Sequence, residues 1–254
     1  MCYTISASFG FLSDSTGFSS YVERVFYQYI IHFHYESFSL FSWTKANFHF
    51  HYVRFLSIIY REVDYMNINI DTIVKDDNSH LRDKSVPVAL PLSKEDREIL
   101  TELLTYVKES TDPDLAEEKN LRPAVGIAAI QVGIAKQMLA VVVDDEDKNG
   151  NLVHYEYALA NAHIVSQSVQ NAYLKMGEGC LSVEGEHPGY VVRSARIKVK
   201  AYDMLQDKEI TLRASGYLAI VLQHEIDHFS GTLFYDRINK KDPFAKVENA
   251  IVIE

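Results

Sequence analysis

Two cysteines, Cys2 and Cys180, are all that 254 residues contain. So few cannot supply a disulfide framework, and a reducing cytoplasm is the compartment that fits. Basic charge is also scarce: 25 Lys and Arg stand against 35 Asp and Glu, a formal net charge of −10. Binding nucleic acid needs a basic face to meet phosphate, so no such surface is expected. The N-terminus lacks the basic region of a secretory leader, its first charged residue being Asp14. Apolar runs are too short for a membrane span, and the stretch from Val25 to Tyr35 is broken by Gln28, His32 and His34. What remains is a chain that is 47% hydrophobic, enough for a packed core in one large domain or a domain with an extension.

The first 65 residues do not read like the rest. Most of the aromatic residues crowd into this quarter, in irregular runs such as Ser37-Phe38-Ser39-Leu40-Phe41-Ser42-Trp43 and Asn47-Phe48-His49-Phe50-His51-Tyr52. Neither a helical nor a strand period is sustained. A membrane-surface or partner-binding extension is one reading, and a second metal site at His32, His34, His49 and His51 is another. The more economical reading is upstream DNA translated in frame, with the regular sequence starting at Met66. Residues 1–65 are therefore expected to lack a packed core of their own, and residues 66–254 to form the catalytic domain.

From Met66 the pattern is regular. Ser93 is a good N-cap, Glu95 and Asp96 suit a first helical turn, and Leu100, Leu103, Leu104 and Val107 mark the inner face of a helix to about Glu109. Residues 110–123 read as a polar loop with at most one helical turn. Strands are expected over 136–143, 153–160, 161–167 and 197–202, with Glu209 to Arg213 pairing back and Ala250 to Ile253 as a short terminal strand. An acidic, glycine-containing turn is expected over 144–151.

The stretch with the most chemistry is Gly216-Tyr217-Leu218-Ala219-Ile220-Val221-Leu222-Gln223-His224-Glu225-Ile226-Asp227-His228. It has no proline, and its only glycine is at the start, so it can run as an unbroken helix. Its residues are apolar on nearly all sides, which predicts burial. Residues four apart share a helix face, so His224 and His228 can grip one divalent cation, and Glu225 can reach a water held there. A buried helix has no cheap reason to carry two histidines and two acids. A catalytic site of this kind needs a third ligand. Asp236, Asp242, Glu248 and Glu254 follow the helix, but Cys180 is the better choice. Its thiolate suits a soft or borderline metal, and the surrounding Gly177-Glu178-Gly179-Cys180-Leu181-Ser182 reads as an open, sharply turned loop. Upstream, Val125-Gly126-Ile127-Ala128-Ala129-Ile130-Gln131-Val132-Gly133 brackets one amide with small residues, which by itself more often signals packing than catalysis.

Taken together, Gly126-Ile127-Ala128-Ala129-Ile130-Gln131, Glu178-Gly179-Cys180-Leu181-Ser182 and His224-Glu225-Ile226-Asp227-His228 resemble the three motifs of peptide deformylases, in order and in spacing. The resemblance runs from about Met66 to Glu254. The loop around residues 110–123, Tyr217 and the terminal strand resemble the longer, Gram-positive-type branch. The resemblance implies an α+β fold, with antiparallel sheets packed around the buried HExxH helix and a C-terminal strand. It implies a hydrolase that removes the formyl group from the N-terminal formylmethionine of newly made polypeptides and releases formate. It assigns Cys180, His224 and His228 to one divalent metal, Fe2+ in the cell, with Zn2+, Ni2+ or Co2+ as alternatives. Glu225 takes the proton-shuttling role, and the Gln131 amide and Leu181 backbone N–H hold the formyl oxygen. Val125, Gly126, Met176, Tyr217, Ile220 and Val221 are implied to line the methionine pocket. The expected partners are formylmethionyl nascent peptides and the ribosome near its exit tunnel, met by a cytoplasmic monomer.

Two positions depart from the family pattern: Ala124 stands where glycine is usual, and Ile130 where proline is. An alanine at 124 costs on the order of 1 kcal/mol if that position needs positive φ, and Ile130 frees the backbone before Gln131. Two other readings compete. An HExxH endopeptidase places its third ligand after the helix and has no use for Cys180. An inactive formyl-peptide- or ribosome-binding paralogue predicts damage at the ligands, and the ligands are intact.

Overall fold

Ser93 caps a helix as its position predicts. In the computed structural model, which describes residues 68–146 and 150–254, its Oγ accepts the Asp96 N–H at 3.0 Å and opens helix α1, Lys94–Ser110. The apolar residues expected on the inner face of α1 are buried, joined by Ile99 and Tyr106. A one-and-a-half-turn helix α2, Pro113–Glu118, sits within the predicted loop. The expectations for residues 1–65 lie outside the described residues.

The main sheet has five strands in the order β1-β2-β3-β6-β7. These are β1 Gly126–Ala128, β2 Met138–Glu146, β3 Leu152–Gln167, β6 Arg196–Asp203 and β7 Lys208–Ser215. Every pairing in it is antiparallel. Because side chains alternate across a strand, β2 serves two cores at once. Met138 and Ala140 face α1, whereas Leu139, Val141 and Val143 face the helix that carries HExxH. That helix, α3, spans Gly216–His228 without interruption. Its Leu218, Ala219, Ile220, Val221 and Leu222 are all buried. Burying each large aliphatic side chain contributes roughly 1.5–3 kcal/mol, so packing rather than propensity holds α3 in place.

On the far side of α3 lies a second, three-stranded sheet in the order β5-β4-β8, formed by β4 Asn171–Leu174, β5 Arg193–Ser194 and β8 Ile251–Ile253. Ile220 of α3 packs there with Ala172 and Ala195. The fold is α+β with α3 between two sheets, and the C-terminal strand β8 runs parallel to β4 whereas β5 pairs with β4 antiparallel. The stretch expected as two strands is one 16-residue strand, β3. Asn161, where the break was expected, has φ 55 and sits at a register shift against β6. Its side-chain amide bonds both the N–H and the carbonyl of Val88, so the bulge costs no unpaired polar group. The acidic turn is shorter than expected, since β2 continues to Glu146. Among the described residues, no helix is long and apolar enough to cross a membrane.

Candidate metal centre

Helix α3 starts under unusual constraint. Its N-cap, Ser215, makes no side-chain capping bond. The Leu218 N–H is taken instead by Asp145 Oδ2, 3.0 Å away at the end of β2. Gly216 has φ +62, and a Cβ on it would stand 3.0 Å from that same oxygen. A carboxylate at the positive end of a helix is the favourable sign. From this fixed start, steps of three and four place Tyr217, Ile220 or Val221, His224 and His228 along one face.

Cys180 reaches that face from the loop between β4 and β5. Gly177 in this loop has φ +78, which turns the chain inward. The open loop expected around the thiol is corrected: Cys180 is in a loop, yet it is 8% exposed and belongs to the core cluster. Candidate ligand atoms of Cys180, His224 and His228 all lie within 4.8 Å of one another. Cys180 Sγ is 3.5 Å from His228 Nε2. No other such group of three occurs among the described residues, and Asp236, a downstream alternative, is spent on Arg82 instead.

The electrostatics suit a cation. Burial pushes His228 well below its ordinary pKa, with like charge on His224 adding to the effect, and neutral imidazole is the ligating form. Burial also favours neutral His224, but hydrogen bonds with Cys180 and Glu178 outweigh it and hold His224 well above the ordinary value. The cluster attracts positive charge. Glu178 accepts His224 Nδ1–H at 2.9 Å, leaving Nε2 for a metal, the usual arrangement in which an outer carboxylate orients a ligand histidine. Phe234 stacks on the same ring at 6.2 Å and 18°.

Glu225 is 4% exposed, and its Oε2 has no hydrogen-bond partner. Burial raises its pKa to about 7, while His224 and Arg193 pull it back down. A buried carboxylate oxygen without a partner is costly, and Glu225 lines a cavity together with Cys180 and His224, from which a water can satisfy it. Gln131, 1% exposed, is held at both ends of its amide. Its Oε1 accepts the Ala128 N–H at 2.8 Å, and its Nε2 points to Ser182 Oγ at 3.2 Å and Cys180 Sγ at 3.5 Å. Ile130 therefore leaves Gln131 well fixed. Ala124 is not among the residues with positive φ, so its alanine carries no backbone strain. Ser110 Oγ pins its N–H and carbonyl.

A cavity of about 300 Å³ opens beside these groups. Val125, Gly126, Tyr217, Ile220 and Val221 line it, and Leu181 joins them. Met176 does not, and this is a correction. Strand β4 ends at Leu174, the turn through Gly177 throws Met176 outward to 90% exposure, and Leu174 fills the wall instead.

The residues that sequence reasoning missed form a charge chain, buried at Glu178 and Arg193 and open to solvent at Arg237. Arg193 grips Glu178 through Nε at 2.5 Å and Nη2 at 2.8 Å and reaches Asp227 at 2.9 Å. Arg237 binds both Asp227 oxygens at 2.6 Å. The side chains of Arg193 and Glu178 are 1% and 4% exposed. Burial alone would raise Glu178, but Arg193 and His224 outweigh it and hold it below the ordinary carboxylate range. The acids sit inside the motifs, and each needs a cation once buried. The arginine partners come from distant positions with no local signal.

With this geometry established, the similarities to known proteins become interpretable. Residues 70–244 match the family described as polypeptide deformylase. Peptide deformylase 2 of Geobacillus stearothermophilus is 53% identical over 186 residues, covering 73% of this chain and 98% of that protein. Peptide deformylase 2 of Bacillus subtilis is 49% identical over 187 residues, covering 74% and 99%. Among solved structures, the peptide deformylase of Ehrlichia chaffeensis has a TM-score of 0.52 at 30% identity, covering 66% of this chain and 88% of that one. The similarity spans all three motifs and nearly the whole of each relative, and the chain belongs to the polypeptide deformylase family.

Proposed function

We propose that Cys180, His224 and His228 hold one divalent metal, Fe2+ in the cell, and that Glu225, Gln131 and Leu181 perform the reaction beside it. The reaction itself follows from the family: the enzyme is a metal-dependent hydrolase that removes the formyl group from the N-terminal formylmethionine of nascent polypeptides. One thiolate and two imidazoles with their ligand atoms within 4.8 Å make a donor set suited to iron or zinc, with nickel or cobalt as substitutes. Bound there, the metal supplies a Lewis acid and lowers the pKa of water.

The chain's own residues do the rest. Val125, Tyr217, Ile220 and Val221 enclose the methionine side chain in the cavity. Glu225 accepts a proton from the attacking water and passes it to the leaving amine, a role that suits a carboxyl titrating at about 7. The Gln131 amide and the Leu181 N–H donate to the formyl oxygen as it gains negative charge, contacts whose loss typically costs ~3–4 kcal/mol of barrier. The Glu178–Arg193 pair keeps the His224 ring in place. Since nascent chains are the substrate, the same reading has the enzyme work as a cytoplasmic monomer near the ribosomal exit. It also takes residues 66–254 as the catalytic domain, in keeping with relatives matched over nearly their full length by about three quarters of this chain.

The observation that carries the assignment is the buried, unpartnered Oε2 of Glu225, a residue that lines the cavity together with Cys180 and His224. Glu225→Gln tests it: metal stays bound and formate release from a formylmethionyl peptide stops. Normal release from that variant at neutral pH would move the base role elsewhere.

A further inference from the structure

Three consecutive residues near the start of the described chain each bind a residue of the reaction site. The Val74 N–H donates to the Gln131 carbonyl at 2.8 Å, and the Asp76 N–H donates to the Ser182 carbonyl at 2.8 Å. Between them, the Lys75 ammonium donates to the Leu181 carbonyl at 3.1 Å. The segment thus straps together two separate loops, and two of its three acceptors are the residues whose donors face the formyl oxygen.

The two backbone bonds of the strap are open to any non-proline sequence. The bond from Lys75 depends on its side chain. That side chain is 24% exposed, and the carboxylate it pairs with among the described residues, Glu184, is 3.9 Å away and 73% exposed. An ion pair that long and that wet is weak, so the Leu181 carbonyl is the main partner of a partly buried ammonium. A charged donor bonds a carbonyl about twice as strongly as a neutral one. Fixing the carbonyl of Leu181 fixes the orientation of that residue, and with it the N–H on its other side. Oxyanion donors accelerate a reaction because they are already in place and need no reordering at the moment charge develops.

We propose that Lys75 is a positioning residue for deformylation, holding the Leu181 donor aimed at the formyl oxygen through the hydrogen bond to the Leu181 carbonyl. This rests on the reading that Gln131 and Leu181 are the oxyanion donors. Its effect belongs to kcat, since the strap bonds Gln131, Leu181 and Ser182 and none of Val125, Tyr217, Ile220 and Val221, the residues given the methionine side chain.

The test compares Lys75→Met and Lys75→Arg in the full chain, with Gln131→Leu in parallel. For each, kcat and KM on a formylmethionyl tripeptide, bound metal and Tm are measured. Lys75→Met keeps the aliphatic stem and loses the donor. The expected result is a roughly tenfold fall in kcat, smaller than the 10²–10³ typical of losing an oxyanion donor outright. KM, metal content and Tm stay near the parent values, and Lys75→Arg recovers most of the loss. If Gln131→Leu is impaired while Lys75→Met keeps full kcat, the positioning role is overturned and the oxyanion reading stands. If both keep full kcat, the oxyanion reading falls and the proposal with it. A kcat loss that follows lost metal or lowered Tm, with no recovery in Lys75→Arg, makes Lys75 a structural staple and also overturns the proposal.

Discussion

Gly126 and Glu225 compete for the same space. A Cβ built on Gly126 would lie 2.6 Å from Glu225 Oε1 and 2.9 Å from its Cγ. The glycine at the head of β1 is therefore required by a contact, not by backbone dihedral freedom. Gly126→Ala should displace the Glu225 carboxylate and lower kcat by ~10²-fold, the lower end of what a general base contributes, with metal still bound. A kcat within a few-fold of the parent would show that Glu225 works from a position other than the one against β1.

Metal dependence should follow Cys180. Chelation should abolish formate release and added Fe2+ or Zn2+ should restore it, because no ligand is consumed by the treatment. Cys180→Ser should fold yet lose most bound metal and activity, since a hydroxyl does not ionise to a ligand as a thiol does. Full metal occupancy in purified Cys180→Ser would break the three-ligand assignment.

The charge chain should respond differently from the ligands. Arg193→Met leaves Glu178 and Asp227 without their shared cation, and breaking a buried ion pair from one side typically costs about 3–5 kcal/mol. The expected readout is a large fall in Tm, accompanied by weaker metal retention as His224 loses its oriented partner. An unchanged Tm would mean that water and the remaining partners, His224 for Glu178 and Arg237 for Asp227, satisfy the two carboxylates without Arg193.

A chain begun at Met66 should be at least as soluble and as active as the full-length chain, because every group given a role lies between Val74 and Ile253. Formate release by both proteins, and the intact mass of the protein from its native cell, decide the matter. Activity lost on truncation, with a native mass that includes residue 1, would make the first 65 residues a working part of the enzyme.

Much of the site was legible because its chemistry is local. The four-residue spacing of His224 and His228 fixes their common face whatever surrounds the helix, and the apolar run from Leu218 to Leu222 announces burial. Ser93 was readable for the same reason, since a capping bond spans only three residues. What sequence reasoning missed is non-local. The cap of α3 comes from Asp145, far upstream in β2, and the cations for Glu178 and Asp227 come from another strand and from the segment after the helix. Met176 was misplaced because its direction depends on where β4 stops, and element ends are the least determined by local pattern. Asn161 read as a strand break because turn residues usually break strands. Its amide instead substitutes for a ladder partner at Val88, and the strand runs on.

The parallel pairing of β8 beside β4 has a consequence in time. Tyr173 and Leu174 lie opposite Val252 and Ile253, the Lys175 N–H bonds the Ile253 carbonyl, and Leu174 leads directly into the loop that carries Glu178 and Cys180. Ile253 also packs against the small cluster that backs Ile220 on the catalytic helix. The strand that ends in the pocket-lining Leu174 is thus paired by residues synthesised long after it. Strand β4 therefore gains its parallel neighbour only after the chain through Ile253 has been made.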